Sequence, residues 1–332
     1  MLEHGGKLRQ AAAKYGIPAR EWLDLSTGIN PRGWPVPALP ATAWARLPEA
    51  GDGLEAAAKA YYGVEQLMPV SGSQAAIQML PRLRLPCRVG LLDTSYGEHR
   101  HAWARAGHRI VVLGGQGEIE RKLPQLDLLL LVQPNNPTGV LYPRERLLAW
   151  HTQLAVRGGW MLVDEAFMDV TPERSLLHHA RPGLIVLRSL GKFFGLAGAR
   201  VGFVNAQPEL LCRLAELLGP WNVSGPARWV ASAALGDRTW QAAARLRLRE
   251  QGVRLHELLC RYGLKPDGGC ALFQWLVTPS AAAMHDELAR RGILTRYFDH
   301  PPSLRFGLPG VETDWRRLAA ALAQLTQRVG CT

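Results

Sequence analysis

Three short segments place polar or charged side chains directly after an apolar run, the position at which open α/β sheets bind their ligands. The segments are Pro134–Gly139, Val163–Phe167 and Ser189–Arg200. In the third segment, the hydroxyl of Ser189, the amine of Lys192 and the guanidinium of Arg200 can converge on one anion and one carbonyl group. Because Lys192 lies among Phe, Gly and Leu residues, desolvation favours its neutral amine, the form that makes an imine.

The other two segments also have purely structural explanations. The run Asn136–Gly139 is typical of a turn before a helix, and Asp164 is typical of a helix N-cap. A buried Asp at a strand end nevertheless needs a partner, and the N–H of a pyridinium ring would keep it ionised. More informative than any single residue is the order of all five, which is Asn136, Asp164, Ser189, Lys192 and Arg200.

The composition favours an arginine-rich enzyme for anionic ligands. The formal net charge is +11, but the basic residues are scattered, which argues against a nucleic-acid-binding surface. Only six lysines stand against 33 arginines, so few residues can form an imine. The cysteines show no CxxC pair, which is typical of reduced thiols in the cytoplasm; they are Cys87, Cys212, Cys260, Cys270 and Cys331. We expect no signal peptide and no membrane span, since the longest apolar run, Leu128–Val132, is too short.

Short apolar runs alternate with helical patterns in the middle of the sequence, which predicts an α/β fold with a mostly parallel sheet covered by helices. The predicted strands are Arg88–Leu92, Arg109–Leu113, Asp127–Val132, Trp160–Val163, Leu184–Leu187 and Val201–Val204, and the predicted helices are Ser73–Leu83, Glu98–Ala106 and Arg144–Val156. From about residue 218, helical patterns around Trp229–Leu259 and Ala281–Arg291 predict a smaller α+β domain. We therefore expect an N-terminal arm at residues 1–35, a large domain at 36–217 and a small domain at 218–332.

With these residues in this order, nearly the whole chain resembles the fold-type I enzymes of the class I and II aminotransferase superfamily, which use pyridoxal 5'-phosphate (PLP). The resemblance implies that Lys192 holds PLP as a Schiff base, that Asp164 pairs with the pyridine nitrogen and that Asn136 hydrogen-bonds the phenolic oxygen. It also implies that Ser189 and Arg200 bind the cofactor phosphate. A homodimer with active sites at the subunit interface is a further implication.

Two upstream features are similar to cofactor-binding features of the same family. A predicted helix opens with Ser71, Gly72, Ser73 and Gln74. The free N–H groups at such a helix end can bind a phosphate, and the similar family segment does this for PLP. Tyr96 matches the aromatic residue that stacks on the pyridine ring, although a core tyrosine would also fit the pattern.

The N-terminal region resembles one branch of the superfamily, whose members decarboxylate L-threonine O-3-phosphate in cobalamin biosynthesis. The similarity lies in His4, which is followed by two glycines, and in the run Leu25–Pro31, which contains Asn30. Histidinol-phosphate aminotransferases share the Asn-Pro element but not the initial His-Gly-Gly. The resemblance therefore favours a small phosphorylated amino acid as the substrate.

Near the C-terminus, two arginines resemble the substrate-binding arginines of the superfamily. Arg305 matches the residue that binds the substrate carboxylate, for which a guanidinium fork is well suited. Arg296 matches the residue that binds the substrate phosphate, and His4, Asn30 and Arg32 are candidates for the same anion.

Two residues depart from the family pattern. Phe167 stands where many aminotransferases have a tyrosine that contacts the phenolic oxygen. Leu47 stands where relatives often have a tyrosine that reaches the cofactor phosphate of the other subunit. We expect these changes to loosen PLP binding, but neither removes an atom that the chemistry requires.

Other functions use partly the same features. A histidinol-phosphate-type aminotransferase would use the same residues, whereas a regulatory protein with this fold would need a DNA-reading extension, which we do not expect before residue 25. A metal site is not expected either. His99 and His101 are two apart on a predicted helix, so their rings point apart, and His178 with His179 fits an exposed loop.

Overall fold

The computed structural model describes residues 3–179 and 181–329. This part of the chain divides into two compact units. The large unit comprises Gly33–Asn136 and Leu141–Ala243, and the small unit comprises the described residues up to Arg32, Pro137–Val140 and those from Ala244 onward.

Strands and helices alternate through the large unit, and a second group of strands lies in the small unit. The strands are β1 (Leu23–Asp24), β2 (Met68–Val70), β3 (Arg88–Leu92), β4 (Arg109–Leu113), β5 (Leu128–Val132), β6 (Trp160–Asp164), β7 (Leu184–Ser189), β8 (Gly202–Asn205), β9 (Gly268–Cys270), β10 (Phe273–Val277), β11 (Ile293–Leu294), β12 (Arg296–Phe298) and β13 (Ser303–Gly307). The helices are α1 (Leu8–Tyr15), α2 (Thr42–Ala45), α3 (Leu54–Tyr62), α4 (Ser73–Met79), α5 (Gly97–Arg105), α6 (Gln116–Lys122), α7 (Arg144–Ala155), α8 (Pro208–Leu218), α9 (Gly225–Gly236), α10 (Arg238–Arg261), α11 (Ala281–Ala289) and α12 (Glu312–Val329). Short 3-10 turns lie at Ala19–Glu21, Leu80–Leu83, Leu123–Gln125, Met168–Val170, Pro172–Arg174, Leu177–His179 and Ala197–Ala199.

Seven strands of the large unit form one sheet in the order β2-β8-β7-β6-β5-β3-β4. The five strands from β7 to β4 in this order run parallel to their neighbours, while β8 is antiparallel to both β7 and β2. Strand β5 is buried along its whole length, as expected of a parallel strand covered on both faces. The prediction of a mostly parallel sheet in an α/β fold is confirmed.

The register of the inner strands places their carboxyl ends side by side. Asp164, at the end of β6, lies opposite Val132 of β5 and Leu187 of β7. Ser189, at the end of β7, lies opposite Gly202 of β8. The segments that the sequence singled out therefore begin at neighbouring strand ends.

Several element bounds differ from the predicted ones for identifiable reasons. The helix predicted to reach Leu83 ends at Met79, because Pro81 lies at the start of a 3-10 turn. Asp127 precedes β5 rather than opening it, and its carboxylate accepts hydrogen bonds from the backbone and side chain of Arg88 at 2.8 and 3.1 Å. Helices α1 and α3 and strand β2 were not predicted, because alanine-rich or very short segments have weak periodicity.

The small unit contains an antiparallel sheet of four strands in the order β12-β13-β10-β9, and β1 pairs with β11 in parallel. Arg296 of β12 lies directly opposite Arg305 of β13. The segment Pro137–Val140 belongs to this unit because Gly139, at φ +74°, lies against the backbone of Gly269. A Cβ at Gly139 would come within 2.1 Å of the Gly269 carbonyl oxygen, so no larger residue fits there.

The division between the units differs from the predicted domain boundary at residues 217 and 218. Helix α9, which follows that boundary, belongs to the large unit. Its Arg228 binds Asp52 at 2.6 Å and Glu55 at 2.7 Å, and Glu55 lies on α3 of the same unit. These ion pairs tie α9 to the large unit, so the division falls inside α10, at Ala243 and Ala244.

The described residues bear on two expectations, namely that the cysteines are free thiols and that the chain has no membrane span. Cys87, Cys212, Cys260 and Cys270 are free thiols, as predicted, and Cys331 lies outside the described residues. None of the helices within residues 3–179 and 181–329 is long and apolar enough to cross a membrane.

A fully buried ion cluster follows the end of β6. Arg188 of β7 donates hydrogen bonds to Glu165 at 2.7 Å and to Asp169 at 2.5 Å, and all three side chains are almost completely buried. Burial alone would lower the pKa of Arg188, but the Asp169 and Glu165 carboxylates raise it above its usual range. Arg188 is therefore a permanent cation that fixes the chain directly after Asp164.

Replacing Arg188 by Met should lower the free energy of unfolding by about 3–5 kcal/mol, because two carboxylates would stay buried without their cation. The matched control is Arg146→Met, which removes an exposed ion pair with Glu120 and should cost less than about 1 kcal/mol. Urea unfolding followed by circular dichroism measures both changes. Equal stability of the two variants would contradict the structural role of Arg188.

Candidate active site

Asp164 lies at the end of β6 and is 3% exposed. One carboxylate oxygen, Oδ1, accepts the backbone N–H of Ala166 at 3.0 Å. The other, Oδ2, lies 2.9 Å from Nε2 of His99. These two contacts hold the carboxylate in one orientation at the edge of the sheet.

His99 is the site residue that the sequence reasoning missed. It lies in α5 and is 1% exposed, whereas His101 of the same helix is exposed, so the two rings do point apart. Because an ionised carboxylate only accepts hydrogen bonds, Nε2 of His99 is the donor to Asp164, and Nδ1 is the other nitrogen of the ring. This Nδ1 is buried and has no hydrogen-bond partner among the described residues. The sequence did contain a signal for such a partner: Asp164 follows a buried strand and has no Lys or Arg close to it in the sequence.

Tyr96 and Gln74 extend the contacts around His99. The Tyr96 ring lies 6.0 Å from the His99 ring, nearly perpendicular to it at 81°. The Tyr96 hydroxyl donates to Oε1 of Gln74 at 3.4 Å, and the Gln74 amide donates to Glu98 at 2.8 Å. Gln74 and Tyr96, which the sequence assigned to the cofactor, are therefore neighbours of the Asp164–His99 pair.

The loop after β5 is tied to the loop after β3 by Asn135. Its Nδ2 donates to the backbone oxygen of Thr94 at 2.8 Å, and its Oδ1 accepts from the hydroxyl of Ser95 at 2.7 Å. Asn136 follows directly and is half-buried. Asn135 thus fixes the backbone that carries Asn136, the predicted partner of the phenolic oxygen.

The predicted phosphate-binding residues meet at the beginning of α4. Gly72 has φ +69°, and a Cβ there would lie 2.6 Å from Nη2 of Arg200. A Cβ at Gly202, which faces Ser189 in the sheet, would lie 2.5 Å from the backbone nitrogen of Ser73. The two glycines therefore let Arg200, Ser189 and the backbone of Gly72 and Ser73 approach one another closely.

Lys192 lies in the turn after β7 and is half-buried. Its Nζ lies 5.4 Å from the centre of the Phe167 ring, within cation–π distance. The backbone around it is held by the N–H of Gly191, which donates to the Ser189 hydroxyl at 3.2 Å, and by Phe194, whose carbonyl accepts the N–H of Trp34 at 2.8 Å. Phe167, the departure from the family pattern, thus presents an aromatic face to the amine instead of a hydroxyl.

These residues of the large unit fit PLP as a set. The amine of Lys192 matches an aldehyde, the buried carboxylate of Asp164 matches a pyridine N–H, and Arg200 with Ser189 matches a phosphate. A Cβ at Gly72 would collide with the guanidinium of Arg200, so glycine is what lets this cation lie at the start of α4, where a phosphate would bind. Within the described residues, no three His, Cys, Asp or Glu side chains are grouped to hold a metal ion.

The four predicted substrate-binding residues all lie in the small unit. Arg305 is 5% exposed, donates to the backbone oxygen of Ser26 at 2.6 Å and lies over the Phe273 ring at 5.1 Å. Arg296 donates to the backbone oxygen of Glu3 at 2.6 Å, and burial lowers its pKa although the Glu3 carboxylate opposes this. The two arginines are directly opposed on neighbouring strands.

The other two predicted residues differ in their surroundings. His4 is exposed and lines a cavity of about 200 Å³, together with Ser26, His285 and Arg296. Asn30 is 3% exposed, and its side-chain oxygen accepts the backbone N–H of Arg32 at 3.0 Å. Asn30 thus shapes the turn that carries Arg32.

The chain matches one family model and is similar to several curated proteins and solved structures. The family model described as aminotransferase class I and II matches residues 51–322. The threonine-phosphate decarboxylase of Pseudomonas aeruginosa is 60% identical over 97% of this chain and 97% of its own length. That of a Sinorhizobium species is 42% identical over 98% of each chain. The structure of a histidinol-phosphate aminotransferase from Sinorhizobium meliloti in complex with PLP matches with a TM-score of 0.84, covering 99% of this chain and 96% of that one at 19% identity.

Replacing His99 by Ala should weaken PLP binding and turnover by about ten- to hundredfold, because Asp164 would lose a hydrogen bond to its charged carboxylate. Titration of the apoprotein with PLP, followed by the visible absorption of the bound cofactor, measures the dissociation constant. The control is His101→Ala, an exposed residue of the same helix, which should leave binding within about twofold. If both variants bind PLP as the unaltered protein does, His99 has no role in holding Asp164.

Proposed function

The chain belongs to the aminotransferase class I and II family, and from this premise we propose that it is a PLP-dependent carboxy-lyase that decarboxylates L-threonine O-3-phosphate. The product is (R)-1-amino-2-propanol O-2-phosphate, which would serve cobalamin biosynthesis. The observation that carries the proposal is the 60% identity to a threonine-phosphate decarboxylase over 97% of both chains. The residues that we assign to the cofactor also fit the groups of PLP.

The residues of the large unit would hold the cofactor and move the protons. PLP, when bound, supplies an electron sink for the pair released as the Cα–carboxylate bond breaks. Asp164, oriented by His99, would keep the proton on the pyridine nitrogen. Lys192 would bind the cofactor through its amine and return a proton to Cα after carbon dioxide has left. The Phe167 ring, whose centre lies 5.4 Å from Nζ, would help to position the amine.

The residues of the small unit would hold the two anionic groups of the substrate. Arg305 would bind the carboxylate through its guanidinium fork, and Arg296 and His4 would bind the phosphate. The bond that breaks is the one held perpendicular to the cofactor ring, so these anchors decide between decarboxylation and loss of the Cα proton. Asn30 would act indirectly, through the backbone of Arg32 that it fixes.

Incubating the PLP-loaded protein with threonine phosphate should release one carbon dioxide for each aminopropanol phosphate formed. Lys192→Ala should lower turnover by at least about 10³-fold and remove the visible absorption of the lysine-bound cofactor. Lys265→Ala, which changes an exposed lysine, should leave both unchanged. Carbon dioxide capture and mass spectrometry of the amine measure the reaction.

The competing result is transamination. Formation of a keto acid with conversion of PLP to its amine form, without carbon dioxide, would contradict the decarboxylase and indicate an aminotransferase of the histidinol-phosphate type. The cofactor assignment would then stand and the substrate assignment would fail.

We also propose a homodimer, formed through an apolar surface of the large unit. Trp44, Leu47 and Trp221 are 71, 64 and 58% exposed. Their segments are neighbours, since a Cβ at Gly225 would lie 2.5 Å from the backbone oxygen of Ala43. Leu47 stands where relatives place a residue that reaches the other subunit, and an aromatic and aliphatic surface of this kind suits a second copy.

The double variant Trp44→Asp, Leu47→Asp should be a monomer in sedimentation equilibrium, because it places two charges in an apolar interface. The control Leu85→Asp, at another exposed leucine, should leave the dimer intact. A dimer of unchanged affinity in the double variant would contradict this interface.

A cytoplasmic location is also proposed, in keeping with the four free thiols among the described residues.

A further inference from the structure

Arg247 and Arg32 are in contact in the small unit. Arg247 of α10 is half-buried, and its Nη2 donates to the backbone oxygen of Arg32 at 3.1 Å. Its Nε is buried and has no hydrogen-bond partner within the described residues. Arg32 itself is exposed, and its backbone N–H is held by Asn30.

Arg247 lies next to a second positive charge rather than a negative one. Burial and the neighbouring charge of Arg32 both lower the pKa of Arg247. Two of the buried arginines, by contrast, bind acidic side chains, since Arg188 binds two carboxylates and Arg228 binds two more. Neither Arg32 nor Arg247 forms an ion pair with a carboxylate in the part of the chain that the structure describes. Two adjacent cations of this kind favour an external anion.

The two residues that follow Arg32 in the sequence contact the turn of Lys192 inside the large unit. Arg32 directly precedes Gly33 and Trp34, and the N–H of Trp34 donates to the Phe194 carbonyl at 2.8 Å. A Cβ at Gly33 would lie 2.9 Å from the same carbonyl oxygen. Phe194 is two residues after Lys192. Within the large unit, the backbone of Gly33 and Trp34 is therefore held next to the turn of the proposed catalytic lysine.

We propose that Arg32 and Arg247 together bind the phosphate group of the substrate and that Arg247 is a specificity residue for phosphorylated amino acids. The proposal rests on the proposed decarboxylase function. A phosphate ester offers up to two negative charges and three acceptor oxygens, which suit two guanidinium forks. Arg296, by contrast, is already in contact with the backbone and carboxylate of Glu3. The Arg32–Arg247 pair supplies the phosphate contacts that Arg296 alone does not.

The alternative is that Arg247 only holds the backbone of Arg32. The variants separate the two roles. Arg32→Gln removes one charge but keeps the backbone oxygen that Arg247 binds. A purely structural Arg247 acts only through Arg32, so it predicts that Arg247→Gln has no further effect when added to Arg32→Gln, whereas direct phosphate binding predicts a further loss. Arg247→Lys keeps the charge but loses the fork, and Arg247→Gln removes both.

Steady-state kinetics with threonine phosphate, and competitive inhibition by inorganic phosphate and by aminopropanol phosphate, test the proposal. Arg247→Gln and Arg32→Gln should each raise KM and both inhibition constants by about ten- to hundredfold, with kcat within about threefold of the unaltered value. Arg247→Lys should lie between. The control Arg261→Gln, at an exposed position of the same helix, should change none of these constants. The visible spectrum of bound PLP should stay the same in all four.

Unchanged inhibition by inorganic phosphate in both Gln variants would overturn the proposal, as would an effect confined to Arg247→Gln. A rise in KM without any rise in the two inhibition constants would assign the pair to the carboxylate, because aminopropanol phosphate lacks that group, and would also overturn it. If Arg247→Gln does not fold, Arg32→Gln and Arg247→Lys decide the matter. If the unaltered protein does not decarboxylate threonine phosphate, the proposed function fails, and calorimetric binding of inorganic phosphate to the holoenzyme still tests the pair.

Discussion

The structure depends on a carboxylate that is buried where a parallel strand ends. An unpaired carboxylate in that position would be too costly to keep ionised, so the surrounding chain must supply donors. The backbone after β6 and His99 of α5 provide two, one for each carboxylate oxygen. The ion cluster of Arg188, Glu165 and Asp169 then locks the next turn of chain. Catalysis by electron withdrawal into a pyridinium ring requires this kind of rigid, ionised acceptor.

Close backbone approaches arrange the remaining groups around Asp164. Gly72 and Gly202 remove side chains where Arg200 and Ser73 must come near, and Asn135 joins two loops at neighbouring strand ends. The large unit thus contains the cofactor residues, while the small unit contains arginines suited to substrate anions.

Sequence patterns identified what depends on order along the chain. The strands, the turn that carries Lys192 and the arginines of β12 and β13 follow from apolar runs, glycine spacing and family resemblance. His99 was not found, because its role requires a contact with Asp164, which lies 65 residues away. The division inside α10 differs from the predicted boundary, and no local pattern encodes the binding of Arg228 to Asp52 and Glu55. The Arg32–Arg247 pair likewise becomes visible only when two distant segments meet.

The identity of the cofactor-bearing lysine is the most direct test of the account. Borohydride reduces the imine between PLP and its lysine to a stable secondary amine, and peptide mass mapping then locates the pyridoxyl group. The account predicts this group on Lys192 and on none of the other five lysines. A pyridoxyl group on another lysine, or reduced protein that binds PLP but has no labelled lysine, would contradict it.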